Sequence, residues 1–280
     1  MKFEGISDFI SHLSGSVASL VKIALLSKGA SASSDIGKGK ELVILGNGPS
    51  LRNTIDNDID WLLAHDMMAV NFAANSPEFF RLRPTYYVLA DGHFFNSLRS
   101  DINVRRLWEN FATVSWPMTL LVPTKYRHFV KPLLLNAPEL KIRFFNLTPI
   151  EGFKWLNRKF FSLGLGMPRP RNVLIPAIME GIRLGYSTIY LCGADHSWTK
   201  TLDVDKDNFV ISIQPHFYRD NEEEHQRVRE TYKGLKLHDV LGSMTVAFRS
   251  YWEIADYADK RKVRIINATP GSMIDAFERK

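Results

Sequence analysis

A short apolar run over residues 42–45 stops at Gly46-Asn47-Gly48-Pro49-Ser50, where a helix is expected to begin. Glycines let the backbone approach a ligand closely, and the first turn of a helix offers unpaired N–H groups to an anion. That is chemistry for a phosphate or a nucleotide. The segment is no Walker loop, since no Gly-Lys-Ser/Thr follows, and it lacks the full Gly-x-Gly-x-x-Gly pattern. A tight turn is the plain structural alternative. Asn71 and Asp91 end two further apolar runs, MMAVN and YYVLAD. An asparagine there can read a base or a ribose, and an aspartate can hold a ribose hydroxyl or a metal. Either can equally cap the helix that follows. Three polar strand ends on one expected rim favour a site.

The stretch RPRNVLIPAIMEGIRLGYSTIYLCGADHSW, residues 169–198, carries the second group of candidates. Arg171 and Asn172 precede a helix, and the planar fork of Arg171 suits a phosphate. Asp195 follows the most clearly marked strand of the chain, TIYLC, with His196 and Ser197 beyond it. Asp203 and Asp205 form an Asp-x-Asp that could hold Mg²⁺ against a diphosphate, but they sit in a polar loop and read as a solvated acidic segment. Histidine is the natural proton acceptor near neutral pH. His216, in Gln-Pro-His-Phe-Tyr, lies in a loop that could carry it over a ligand, whereas the leucines of LKLHDVL suggest that His238 packs against the body. His93 and His196 are weaker alternatives. Ser50 is not a nucleophile elbow, because Gly-x-Ser-x-Gly is absent.

Strands separated by helices must hold these residues. The spacing predicts strands over 42–45, 67–71, 86–90, 119–122, 142–145, 188–192 and 263–267, and helices over 172–184 and 249–261. Compact apolar strands alternating with helices imply an α/β fold with a mostly parallel sheet covered on both faces, where ligands gather at the carboxyl ends of strands. The chain has 280 residues, is 45% hydrophobic and 24% charged, and has one cysteine, Cys192. This balance excludes a disordered tail, a collagen-like fibre and a disulfide-stapled miniprotein. It also excludes a cysteine-built zinc site, and makes a reducing cytoplasm the simplest location. The net charge of +6 suits an anionic substrate, a nucleic acid or an acidic membrane surface without choosing among them. Aromatic residues follow core periodicity and do not interleave with a basic stripe, which argues against nucleic acid as a partner.

The first 40 residues form a separate unit in this reading. Ile10, Leu13, Val17, Leu20, Val21 and Ala24 recur at helical spacing, and residues 29–40 read as a flexible linker. The helix either docks on the protein's own surface or anchors the chain peripherally at the inner face of a membrane.

VILGNGPSL, IRLGYSTIYLCGAD and IINATPGSMIDAF resemble, in that order, motifs of the bacterial sialyltransferases of glycosyltransferase family 42. They also resemble the related domain of motility accessory factors and archaeal 6-hydroxymethylpterin diphosphokinases. The resemblance covers about residues 41–277. It implies one nucleotide-binding Rossmann-like domain, residues 41–280, with a small lid around 196–245, using CMP-sialic acid without a metal or other cofactor. Gly46, Asn47 and Gly48 would then face the CMP phosphate and sugar, and Asn71 would contact the nucleotide. Asp91 stands where that family has an asparagine, Asn172 falls near a donor-binding serine, and Ser197 replaces a tyrosine that assists the departing phosphate. The family's catalytic histidine would fall near Thr245, so either His216 or His238 takes over, or the chemistry differs. The expected activity is transfer of an acidic sugar from a CMP-linked donor to a glycan acceptor in surface-polysaccharide assembly. The alternatives are Mg²⁺-dependent pyrophosphate transfer from ATP, with Asp91, Asp195 or the Asp203/Asp205 pair on the metal, and a non-catalytic nucleotide-binding scaffold at the membrane. A homo-oligomer is left open.

Overall fold

The computed structural model describes residues 5–133, 137–212 and 234–280. An eight-stranded, all-parallel sheet forms its centre. The strands are β1 (Glu41–Leu45), β2 (Asp66–Val70), β3 (Tyr86–Val88), β4 (Met118–Pro123), β5 (Leu140–Phe145), β6 (Thr188–Cys192), β9 (Arg264–Asn267) and β10 (Glu278–Arg279). Their order across the sheet is β10-β9-β6-β1-β2-β3-β4-β5. The short antiparallel ribbon of β7 (Leu202–Val204) and β8 (Val210–Ser212) lies outside it. The chain moves outward from β1 through β5, then returns to lay β6 on the other side of β1. That reversal puts a switch point between β1 and β6, where neighbouring loops diverge and leave a crevice.

Both faces of the sheet are covered, as the continuous apolar strands require. The larger core gathers Leu42, Ile44, Val70 and Leu191 with helix α9 (Leu174–Arg183) and helix α10 (Leu237–Arg261). The second holds Tyr87, Leu120 and Val122 against helix α6 (Ile102–Ala112). A Cβ on Gly181 would stand 2.9 Å from a Leu42 methyl, so this glycine brings α9 close to β1. Gly185, at φ +91°, closes that helix in the left-handed conformation expected of a C-terminal glycine.

The expected strands over 42–45 and 188–192 coincide with β1 and β6 to within a residue. Residues 67–71 run instead as 66–70, because Asn71 turns to φ +51° and opens a 3₁₀ turn. The strand expected over 86–90 ends at Val88. The last long helix begins at Leu237, twelve residues before the start expected at Arg249.

Helix α1 (Ile6–Leu26) is docked on the body through small polar residues. Ser19 Oγ donates to the Glu151 carbonyl and accepts from the Glu151 N–H, both at 2.8 Å. Ser16 Oγ accepts from the Phe153 N–H at 3.0 Å, and Lys22 pairs with the Glu151 carboxylate at 3.3 Å. Residues 29–40, expected as a flexible linker, are pinned to the body. Lys28 exchanges two hydrogen bonds with the Asn146 side chain, and Ser31 takes up both the N–H and the carbonyl of Phe144. The Arg183 guanidinium, paired with Glu180, also donates to the Ser31 carbonyl. Small polar residues read as linker here because their bonds are to residues more than 100 positions away.

Candidate functional site

A cleft of about 370 Å³ opens at the carboxyl ends of β1, β2, β3 and β6. Asn47, Gly48, Asn71, Asp91, Arg171, Asn172, Asp195 and Ser197 line it together, so most of the residues picked from sequence converge on one place. Pro49, Leu147, Pro170, His196 and Trp198 complete much of the wall. Leu147, Pro170 and Trp198 carried no sequence signal of their own.

The glycine turn works differently from a phosphate cradle. The Gly46 N–H donates to the Cys192 carbonyl at 2.7 Å and the Gly48 N–H to the Gly193 carbonyl at 2.9 Å. Both donors are therefore occupied by the neighbouring loop. A Cβ on Gly48 would collide with the Asp195 carboxylate and stand 2.7 Å from the Gly193 carbonyl, and one on Gly46 would meet the Gly193 carbonyl. These glycines let the loops after β1 and β6 touch. Asp195 in turn accepts from the Ser50 hydroxyl at 2.7 Å, placing its charge at the start of helix α2 (Ser50–Asn57). A carboxylate from the protein thus occupies the helix end that sequence reasoning reserved for a phosphate.

Three asparagines hold the polar part of the wall. Asn47 Nδ2 donates to the Val70 carbonyl at 3.3 Å, which leaves Asn47 Oδ1 buried without a partner. Asn71 Oδ1 is likewise buried and unpaired. The left-handed backbone of Asn71 is held by Tyr87, whose hydroxyl donates to the Asn71 carbonyl at 2.5 Å and accepts from the Ala74 N–H at 2.8 Å. Asn172 Oδ1 accepts from the Leu174 N–H at 3.0 Å and from the Tyr251 hydroxyl at 2.9 Å, so Asn172 Nδ2 is buried and unpaired. Buried polar atoms are paired in most proteins, and each exception calls for a reason. Three such exceptions on one cleft, two acceptors and one donor, are what a polar ligand would satisfy.

Tyr251 also meets His196 Nε2, at 2.6 Å. Because the tyrosine proton goes to Asn172, the histidine must donate from Nε2, which leaves Nδ1 as the basic nitrogen of the ring. Complete burial pushes His196 down to about 3, so it is neutral in the native protein. Burial also raises Tyr251, which keeps its proton. The two rings and Asn172 form a neutral chain that fixes the amide facing the cleft. Tyr251 was not picked from sequence, where it read as one aromatic among many on its helix.

The remaining candidates fall as follows. Arg171 is exposed at the rim and has no ion-pair or hydrogen-bond partner among the described residues. Asp91 accepts from the His93 N–H at 2.8 Å and starts the short helix α5 (His93–Asn96), while His93 is tied to Asp101 at 2.7 Å. Asp203 and Asp205 accept backbone N–H groups of their own ribbon, and neither lines the cleft. His238, expected to pack against the body, is 84% exposed in the first turn of α10, beside Asp239 and away from the cleft. Thr245 lies on an exposed turn of the same helix. His216 and its neighbour Tyr218 lie outside the described residues, as does part of the lid expected around 196–245.

No protein-family model matches the sequence, and no curated protein matches it. Among solved structures, the chain is similar to one described as the structure of MAf glycosyltransferase from Magnetospirillum magneticum AMB-1. The similarity has a TM-score of 0.51 at 12% sequence identity and covers 99% of this chain. The chain spans 39% of the length of that protein. At this identity the likeness is one of fold alone.

Proposed function

We propose that the chain is a glycosyltransferase that binds a nucleotide-activated sugar in the cleft between β1 and β6. The observation that carries this reading is the set of three unpaired amide atoms, Asn47 Oδ1, Asn71 Oδ1 and Asn172 Nδ2, on one switch-point cleft. A nucleoside supplies hydroxyl and amino donors for the two oxygens and ring or carbonyl acceptors for the nitrogen. Arg171 supplies the cation for a phosphate, which the occupied N–H groups of the glycine turn do not. The fold likeness to a glycosyltransferase supports transfer of a sugar. The motif resemblance favours a CMP-linked acidic sugar as donor and a glycan hydroxyl as acceptor.

The mechanism we infer is direct displacement at the anomeric carbon. The acceptor hydroxyl gives up its proton while its oxygen attacks, and the nucleotide phosphate leaves with the electron pair of the broken bond. We assign stabilisation of that phosphate to Arg171 and the Ser197 hydroxyl, both residues of the cleft wall. His196 is a poor general base, since a group near 3 lies far from the pH at which it would have to work. Asp195 is engaged by Ser50, so the base falls to His216 or to Asp91 at the rim. Pyrophosphate transfer would need a metal ion against a diphosphate, whereas Asp203 and Asp205 do not line the cleft and Asp195 is held by the Ser50 hydroxyl.

Thermal unfolding with CMP, ADP and ATP, each with and without Mg²⁺, tests the reading. Near 100-fold Kd a ligand of the native state adds about 2.7 kcal/mol, which shifts the melting point by several degrees. CMP should do so without metal, and Arg171→Ala should weaken CMP while leaving cytidine unchanged. A response to ATP only with Mg²⁺, or to no nucleotide, would refute it.

A further inference from the structure

α1 turns its polar side to the protein and its apolar side outward. Ile6, Ile10, Leu13, Val17, Leu20 and Val21 are each 46–82% exposed. At about 100° per residue they form one continuous stripe roughly 100° wide, the width that normally faces a core. Ser16 and Ser19, which a surface helix would show to water, are instead buried against residues 151–153. By length and composition α1 could cross a bilayer, but a span would break the Ser16, Ser19 and Lys22 bonds to the body.

Basic residues flank the stripe. The Phe153 ring packs on Phe9 at 5.6 Å, and helix α8 (Lys154–Ser162) starts one residue further on. Its Lys154, Trp155 and Lys159 are exposed, as is Lys28 just past the end of α1. α8 contains no acidic residue, and α1 contains only Asp8.

We propose that this surface docks on an anionic lipid membrane, with α1 lying in the plane of the interface. Its apolar stripe enters the acyl boundary, Trp155 sits at the headgroup level, and the three lysines meet lipid phosphates. The spacing 6, 10, 13, 17, 20 would also fit the seam of a helix pair. A second copy, however, would bring the same lysines against these, and Ser14 and Val21 beside the seam give no charge to fix its register.

Flotation of the full chain with vesicles tests the proposal. The chain should float with phosphatidylcholine vesicles containing phosphatidylglycerol and not with phosphatidylcholine alone, and salt should release it. Ile10→Gln/Leu13→Gln/Val17→Gln should abolish flotation while leaving the urea midpoint of unfolding unchanged, since these side chains are already exposed. Lys154→Gln/Lys159→Gln should weaken binding about 30-fold. Light scattering should report the same mass for parent and triple variant. No flotation of the parent, undiminished flotation of the triple variant, or a dimer that the triple substitution dissociates would each overturn the proposal.

Discussion

Replacing Tyr251 by Phe tests the neutral chain behind Asn172 one atom at a time. The ring is fully buried, packed edge-on to Phe277 at 5.8 Å, and Phe keeps that packing. What is lost is the hydroxyl that donates to Asn172 and accepts from His196. Asn172 Oδ1 retains the Leu174 N–H, so its share is one ordinary hydrogen bond, about 1 kcal/mol. The His196 N–H is left buried with no partner, which costs about 1–3 kcal/mol. Together the loss should be about 2–4 kcal/mol, seen as a lower urea midpoint at unchanged slope and a melting point down by roughly 4–8 °C. With its oxygen released, the Asn172 amide should also bind nucleotide more weakly. A cycle with His196→Leu should show coupling of about 1 kcal/mol or more, because removing both partners leaves fewer orphans than removing one. A Tyr251→Phe protein within about 0.5 kcal/mol of its parent, with unaltered nucleotide affinity, would refute both the Nε2–H tautomer and the positioning role.

Burial, with the Glu151 charge adding to it, raises Glu253 to about 7, while His196 is pushed down to about 3. Unfolded histidine takes a proton below about pH 6.5 that native His196 refuses, so this term weakens the fold as pH drops from 6.5 toward 3. Native Glu253 instead holds a proton between about 4.5 and 7 that the unfolded chain releases, a contribution that is full below 4.5 and lost as pH rises through 7. The two slopes oppose between pH 4.5 and 6.5. Glu253→Gln should therefore unmask a loss of up to about 1.4 kcal/mol per pH unit of acidification there, and an unchanged urea midpoint profile would count against it. Gly48→Ala should destabilise the protein by about 1–3 kcal/mol whether or not nucleotide is present, since its Cβ meets Asp195 and the Gly193 carbonyl. A stable Gly48→Ala protein that merely fails to bind nucleotide would return that glycine to a ligand-facing role.

The sheet was legible because parallel strands buried on both faces read as unbroken apolar runs, and β1 and β6 show it most clearly. β10 was not, being two exposed residues long. The early turns of α10 were hidden by Gly242, Ser243 and Thr245, poor helix formers that Asp239 helps to start by accepting from the Lys236 N–H. The rim residues were legible from their position after strands, but their partners were not. Nothing local ties Asp195 to Ser50 or Asn172 to Tyr251, which lie 145 and 79 residues apart. Periodicity located the stripe of α1 without saying which side meets the body, because that was decided by two serines and a glycine matched to residues 151–153.

The strap of residues 28–31 also bears on solubility. β5 is the outermost strand on its side, and an open strand edge is a template on which other chains can pair. Ser31 occupies the outward N–H and carbonyl of Phe144, and Lys28 engages the Asn146 side chain just beyond. At the opposite edge β10 is only two residues long, and both are charged. A chain trimmed to Lys40 would leave the six residues LKIRFF as a bare edge, four of them apolar or aromatic. The strap therefore covers part of the strand edge on which another chain could otherwise pair.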